Sequence, residues 1–209
     1  TNRRLPCLMK YQICQSPSPG AAMSNGPFDI DVDTLGNMRP ISKVVFSLGS
    51  NMGDSPALLA EAVELLADTP DLIMVDVSPV YQTPFAGEGP EQDDYLNLVV
   101  VAESTLEPMT LLDRVLAIEE SLGRKRVIPK GPRTIDIDIV MVGKRVSEED
   151  IELPHPRAYE RAFVLVPWLD VDPAAEIAGA GPIAELVKHV DKTGVVRRDD
   201  IVIANPGKR

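Results

Sequence analysis

Arg133-Thr134-Ile135-Asp136-Ile137-Asp138-Ile139 is the stretch on which the reading of this chain turns. Apolar and polar residues alternate strictly, the period of a strand with one buried and one open face. Ile135, Ile137 and Ile139 point into a core, while Asp136 and Asp138 point together to the opposite side. Taken as the strand Thr134 to Val142, this segment closes a series of elements that runs back to Lys43.

Upstream, Pro108 opens a helix whose buried face is Leu111, Leu112, Val115, Ile118 and Leu122, with Gly123 at its end. Tyr95 to Glu103 reads as a strand, and so does Asp71 to Tyr81; Thr83 to Asp94 between them is a loop rich in Gly and Pro. Ser55 suits an N-cap, with Pro56 as the first helical residue. Leu58, Leu59, Ala62, Val63, Leu65 and Leu66 then recur at helical spacing up to Ala67. Val44-Val45-Phe46-Ser47-Leu48 is the first buried strand, ending in Gly49. Beyond the Asp strand lie a Pro-His-Pro turn, the apolar run Phe163-Val164-Leu165-Val166 and a short helix expected around Ile183 to His189. The order strand, helix, strand, strand, helix, strand predicts an α+β fold: a ferredoxin-like split βαβ sandwich, with helices packed on an antiparallel sheet. Residues 1–41 lack periodicity and contain Ser16-Pro17-Ser18-Pro19-Gly20, so a disordered extension is expected there. Residues 42–209 form the domain, C-terminal extension included.

Across 209 residues the formal net charge is −11, which repels nucleic acid and anionic membranes at long range. No apolar run approaches the ~20 residues of a bilayer span, and a cytoplasmic protein is expected. The only cysteines are Cys7 and Cys14, so the domain has neither a thiolate metal site nor a cysteine nucleophile. Aromatics make up 4% of the chain, which gives each one present more weight as a candidate for ring recognition.

Two residues along a strand separate Cα atoms by roughly 6.6 Å. Carboxylates so placed can converge on a pair of divalent ions, as two-metal phosphoryl chemistry requires; magnesium, which combines a few carboxylates with water and phosphate, is the natural occupant. Asp136 and Asp138 alone also fit a wet strand face. Their neighbourhood decides between the two: Arg124, Lys125, Arg126, Lys130 and Arg133 crowd one Gly- and Pro-interrupted loop of an otherwise acidic chain. Guanidinium forks match phosphate oxygens, so a basic loop feeding a dicarboxylate strand suits a metal–polyphosphate ligand. Pro154-His155-Pro156-Arg157 and Arg161 add an imidazole and two more cations. The loop Gly49-Ser50-Asn51-Met52-Gly53-Asp54 lacks the spacing and lysine of a P-loop and reads as a tight turn before a capped helix.

With these segments in place, Lys43 to Pro173 closely resembles the 6-hydroxymethyl-7,8-dihydropterin pyrophosphokinases of folate biosynthesis. The resemblance is carried, in order, by Gly49 to Asp54, Tyr81-Gln82-Thr83-Pro84, Tyr95-Leu96-Asn97, Glu119 and Gly123-Arg124-Lys125-Arg126. It continues through Gly131 to Asp138, Pro154 to Arg157 and Arg161 to Leu165. It implies transfer of the β,γ-pyrophosphoryl group of ATP to the pterin hydroxymethyl oxygen, with two magnesium ions held by Asp136 and Asp138. It implies catalytic roles for Arg124 and Arg133, and ATP contacts from Glu119, Arg126, Ile139, His155 and Arg161. The pterin would lie between Tyr95 and Phe163, with its edges met by Thr83 and Asn97 and by backbone near Pro84 and Ala86. Lys130 stands where some relatives carry Trp, and the basic loop is a residue shorter. The competing reading is a non-catalytic nucleotide- or RNA-binding ferredoxin-like module. Such a module needs exposed aromatics and a basic sheet face, which this acidic, aromatic-poor chain does not offer. Oligomeric state is left open.

Overall fold

The apolar segment Ser42–Ser50 forms β1, the centre of the sheet, with every residue from Val44 onward buried. The computed structural model describes residues 39–85, 92–124, 133–146 and 151–208. The expected N-terminal extension therefore lies, through residue 38, outside the described residues. After β1 come α1 (Ser55–Ala67), β2 (Leu72–Val77), β3 (Tyr81–Thr83), β4 (Tyr95–Ser104), α2 (Pro108–Ser121) and β5 (Asp136–Val142). The chain ends with α3 (Ala162–Val171), β6 (Glu176–Ile177), β7 (Gly181–Pro182), α4 (Ile183–His189) and β8 (Val196–Arg197).

The sheet order is β5-β1-β4-β3-β8, with β2 also pairing β4, and every pair is antiparallel. This is the expected ferredoxin-like arrangement with one strand, β8, added at an edge. Alternation along β1 and β4 divides the core. Val44, Phe46, Leu48, Leu98 and Val100 face α1 and α2, together with Leu59, Val63, Leu111 and Val115. Val45, Val99 and Val101 face α3 and α4, together with Leu165, Trp168 and Ile183. Both faces of the sheet are thus covered, which is why β1 reads as a continuous apolar run rather than an alternating one.

Three expectations are corrected. The strand expected over Asp71 to Tyr81 is two strands, because Pro79 has no N–H for the ladder. At the break, Ser78 exchanges bonds with Val99, its N–H donating to the carbonyl at 2.9 Å and its hydroxyl accepting the Val99 N–H at 2.9 Å. The α1 cap is Asp54, whose carboxylate accepts the Ala57 N–H at 3.2 Å; Ser55 is already helical. The strand expected from Thr134 begins at Asp136. The apolar run Phe163-Val164-Leu165-Val166, to which the sequence assigned no element, lies in the helix from Ala162, with Pro167 inside it.

Candidate active site

β5 runs beside β1 with Asp136 opposite Gly49 and Asp138 opposite Ser47. The strand's alternation carries through: Ile137 and Ile139 sit in the α1/α2 core, while the two carboxylates lie on the other face, partly open to solvent. A register irregularity between Val45 and Phe46 then turns Val140 and Met141 into the second core, so the acidic face is confined to the start of the strand. Ile139 follows the same alternation. Its side chain is 5% exposed in the core behind the site, leaving only its backbone for a nucleotide.

Asp136 is held by two guanidinium groups. Arg124 Nη2 approaches Oδ1 at 2.8 Å, and Arg133 Nη1 donates to Oδ2. Arg124 is itself fixed from below by Glu119, a carboxylate only 2% exposed whose Oε1 also accepts the Ile137 N–H at 2.8 Å. One buried side chain on α2 thus links the middle of the Asp strand to the arginine that leaves that helix. Burial pushes the Glu119 pKa above its usual range; the Ile137 N–H and Arg124 oppose the rise and Asp136 adds to it.

Asp138 faces Arg161 Nη1 at 3.4 Å and His155 Nε2 at 3.9 Å. Burial raises its pKa and the neighbouring Asp136 charge raises it further, against His155, Arg161 and Arg133. The two carboxylates therefore repel each other, and a divalent cation would relieve that repulsion. His155 accepts the Arg157 N–H on Nδ1 at 3.2 Å; burial pushes its pKa down, opposed by Asp138. Among the described residues no group of three or more His, Cys, Asp or Glu is gathered as a metal cage. Two carboxylates among arginines instead fit magnesium, which completes its shell with water and phosphate oxygens.

Across β1, Asn97 and Tyr95 come up on the same face from β4. Asn97 is 4% exposed and donates through Nδ2 to Thr83 Oγ1 at 2.8 Å. Gly49 makes room for this amide, since a Cβ there would stand 2.9 Å from Asn97 Oδ1. Any side chain at position 49 would displace the Asn97–Thr83 pair, so the floor of the site is bare backbone. Phe163 lies in the first turn of α3, and the Arg161 guanidinium sits 5.4 Å from its ring centroid. Pro167 has no N–H to bond the Phe163 carbonyl one helical turn back. Tyr95 is raised in pKa by burial, opposed by Arg133. Pro84 is exposed at the end of β3. Ala86 and Arg126 lie outside the described residues, as do Lys125 and Lys130.

Two residues of the site went unassigned in the sequence. Phe85 stacks on Tyr95 with ring centroids 6.3 Å apart and 27° between planes; its rarity as one of four phenylalanines was the available signal. Asn51 ties two loops together: its Oδ1 accepts the Arg133 N–H at 2.9 Å, and its Nδ2 donates to Gln92 Oε1 at 3.2 Å and to the Asp93 carbonyl at 3.3 Å. Nothing in a turn-like Gly-Ser-Asn-Met-Gly stretch identifies those distant partners.

Residues 45–173 match the family model described as 7,8-dihydro-6-hydroxymethylpterin-pyrophosphokinase (HPPK). A 2-amino-4-hydroxy-6-hydroxymethyldihydropteridine pyrophosphokinase of Methylorubrum extorquens is 42% identical over 158 residues, covering 75% of this chain and 99% of that protein. The protein of the same name from Bacillus subtilis is 39% identical over 126 residues, 60% of this chain and 75% of the relative. Among solved structures, wild-type Plasmodium falciparum HPPK-DHPS with pteroate superposes with a TM-score of 0.58 at 14% identity, over 74% of this chain. The match spans 45% of that longer protein, and at this identity it speaks for the fold alone.

Proposed function

The chain belongs to the 7,8-dihydro-6-hydroxymethylpterin-pyrophosphokinase family, and from that premise we propose how its own residues carry out the reaction. It is a transferase: it moves the pyrophosphoryl group of ATP to 6-hydroxymethyl-7,8-dihydropterin in folate synthesis. The pterin hydroxymethyl oxygen forms a bond to the β-phosphorus, the bond from that phosphorus to the α–β bridging oxygen breaks, and AMP leaves. The hydroxyl proton passes to solvent, since no described side chain in the site is an evident general base. Phosphoryl transfer of this kind rests on positioning and charge stabilisation.

The observation that carries the assignment is the pairing of Asp136 with Arg124 and Arg133 beside a second carboxylate that no described arginine clamps as tightly. Magnesium bound at Asp136 and Asp138 would supply Lewis-acid neutralisation of the polyphosphate. The arginines in this reading exchange partners, releasing Asp136 and turning their forks to the phosphate oxygens. Glu119 limits how far Arg124 swings. Arg161 and His155 take the ATP side of the cleft; His155, its pKa lowered by burial, contacts the nucleotide as a neutral imidazole. Arg126 belongs to the same basic loop and is assigned to ATP with them, as is the Ile139 backbone.

For the acceptor, we assign Tyr95 and Phe163 as the two faces of the pterin slot and Thr83 and Asn97 as its hydrogen-bonding edge, with the backbone at Pro84 and Ala86. A polar edge of this kind rejects ring analogues that lack the matching groups. The partners in this reading are two small molecules, in keeping with a net charge of −11 that disfavours nucleic acid and anionic membrane surfaces. Among the described residues no helix is long and apolar enough to cross a membrane, and we place the reaction in the cytoplasm, where ATP is available. The test is an incubation with ATP, magnesium and the hydroxymethyl pterin, each omitted in turn. AMP is expected only in the complete mixture; AMP formation without the pterin contradicts the acceptor assignment.

A further inference from the structure

The family match ends at residue 173, yet the chain continues into a strap that returns to the strand carrying Thr83. β8 pairs with β3, Arg197 opposite Tyr81 and Val196 opposite Gln82. We propose that this strap, through Arg197 and Arg198, is a positioning element for the acceptor side of the site. The inference rests on the pyrophosphokinase reading.

Successive residues of a strand face opposite ways, so the two arginines act on opposite faces of the sheet. Arg197 Nη1 reaches Asp170 Oδ2 at 3.2 Å, and the Tyr81 hydroxyl donates to the same oxygen at 2.7 Å. Asp170 lies in α3, the helix whose first turn holds Phe163. Tyr81 is the β-partner of Asn97. This carboxylate therefore joins the strand behind Thr83 and Asn97 to the helix behind Phe163.

Arg198 works on the other face. Its N–H donates to the Val80 carbonyl at 2.8 Å, and its Nη1 donates to Gln82 Oε1 at 2.6 Å. Gln82 passes the contact on, with Nε2 donating to Asp94 Oδ2 at 2.7 Å. Asp94 immediately precedes Tyr95. Gln82, Asp94 and Arg198 line an open cavity of about 550 Å³. Apolar packing is therefore sparse at this corner, and the polar relay fixes the approach to Tyr95. The fork of Arg198 is held in turn by Asp200, at 2.8 and 2.7 Å.

The third contact is steric. Gly194 has φ +75°, and a Cβ added there would stand 2.9 Å from both Cδ and Cγ of Pro84. The strap thus rests directly on the residue after Thr83. Contacts from one segment thus reach Pro84 directly, and Gln82 and Asp94, the chain neighbours of Thr83 and Tyr95, through the relay. The described ATP-side residues Arg124, Arg133, Asp136 and Asp138 make none of their observed contacts with the strap.

The test separates the two substrates. Arg198→Ala, Gln82→Ala and the double variant are compared with wild type for the KM of the pterin and of ATP, with Arg198→Lys as the conservative replacement. A lost charge-assisted relay predicts a rise of about tenfold in pterin KM with ATP KM unchanged. The double variant should match the single ones, because the residues form one relay, and Lys should recover much of the loss. A rise in pterin KM of less than fivefold for Arg198→Ala, or an equal rise for ATP, overturns the inference. Additive single effects also overturn it. A wild-type chain that makes no AMP overturns the functional reading and this inference with it, whereas an active wild type with indifferent variants overturns the inference alone.

Discussion

Replacing Glu119 by glutamine should leave the fold nearly as stable as before and still cripple the enzyme. Glu119 lies under β5 with two partners, the Ile137 N–H at 2.8 Å and the Arg124 guanidinium. Burial nonetheless raises its pKa, outweighing the Ile137 N–H and Arg124, with Asp136 adding to the rise. The charged side chain is therefore less favoured in the fold than in water. The unfolded chain releases this proton near the ordinary value of 4.5 and the folded chain at higher pH. The folded state thus holds more protons in between, and wild-type stability falls as pH rises through that window. A glutamine amide in its place would retain an oxygen for the Ile137 N–H and avoid the buried charge. Because Arg124 keeps Asp136 as a partner at 2.8 Å, we expect Glu119→Gln to cost no more than about 1 kcal/mol at pH 7.5, or about 3 °C in Tm for a chain of this size. Glu119→Ala leaves the N–H unsatisfied at about 1–3 kcal/mol and opens a cavity besides. A total of about 3–4 kcal/mol, on the order of 10 °C, is expected. Both variants free Arg124 from its anchor, and kcat/KM should fall about 10²–10³-fold, the scale for one lost transition-state donor. Thermal unfolding at pH 4.5 and 7.5, with AMP release measured alongside, reads all of this. A glutamine variant as unstable as the alanine variant at pH 7.5 would refute the electrostatic reasoning. One with kcat/KM within threefold of wild type would refute the role given to Arg124.

Asp136→Ala or Asp138→Ala should lower AMP release by at least about 10³-fold while circular dichroism stays that of the folded protein; near-normal turnover from either contradicts the metal assignment. Calorimetry should show the pterin binding more tightly when magnesium and a non-hydrolysable ATP analogue are present, and equal affinity in their absence would argue against a site assembled by the nucleotide. The Tyr81 phenol, raised by burial and then by Asp170, is pushed up to about 12. An ultraviolet titration should therefore show a late-ionising tyrosine that disappears in Tyr81→Phe, and an unchanged high-pH limb in that variant would show that the Asp170 contact is not formed.

The parts of this molecule that were legible in the sequence are those in which one strand or helix carries its own signal. Ile135, Ile137 and Ile139 alternating with Asp136 and Asp138 define a two-faced strand without reference to anything else, and the buried pattern of β5 follows it. The helix from Pro108 was equally plain, because its apolar spacing and its Pro start are local. What was not legible depends on distant partners. Ser55 and Asp54 are both good caps in isolation, and only the direction of the chain leaving β1 selects Asp54. Phe163 to Val166 has the composition of a strand and becomes a helix because Val164, Leu165 and Trp168 must cover the second face of the sheet. β8 has two residues, too few for any period, and its place at the sheet edge is set by Tyr81 and Gln82.

In this enzyme ATP is cut between its α- and β-phosphates and the pyrophosphoryl group moves as one unit. Phosphorus NMR of a single reaction containing the full chain, ATP, magnesium and the hydroxymethyl pterin tests this directly. AMP and a pterin diphosphate, with its two coupled phosphorus signals, are expected to rise in equal amounts. ADP appearing beside a pterin monophosphate would contradict it.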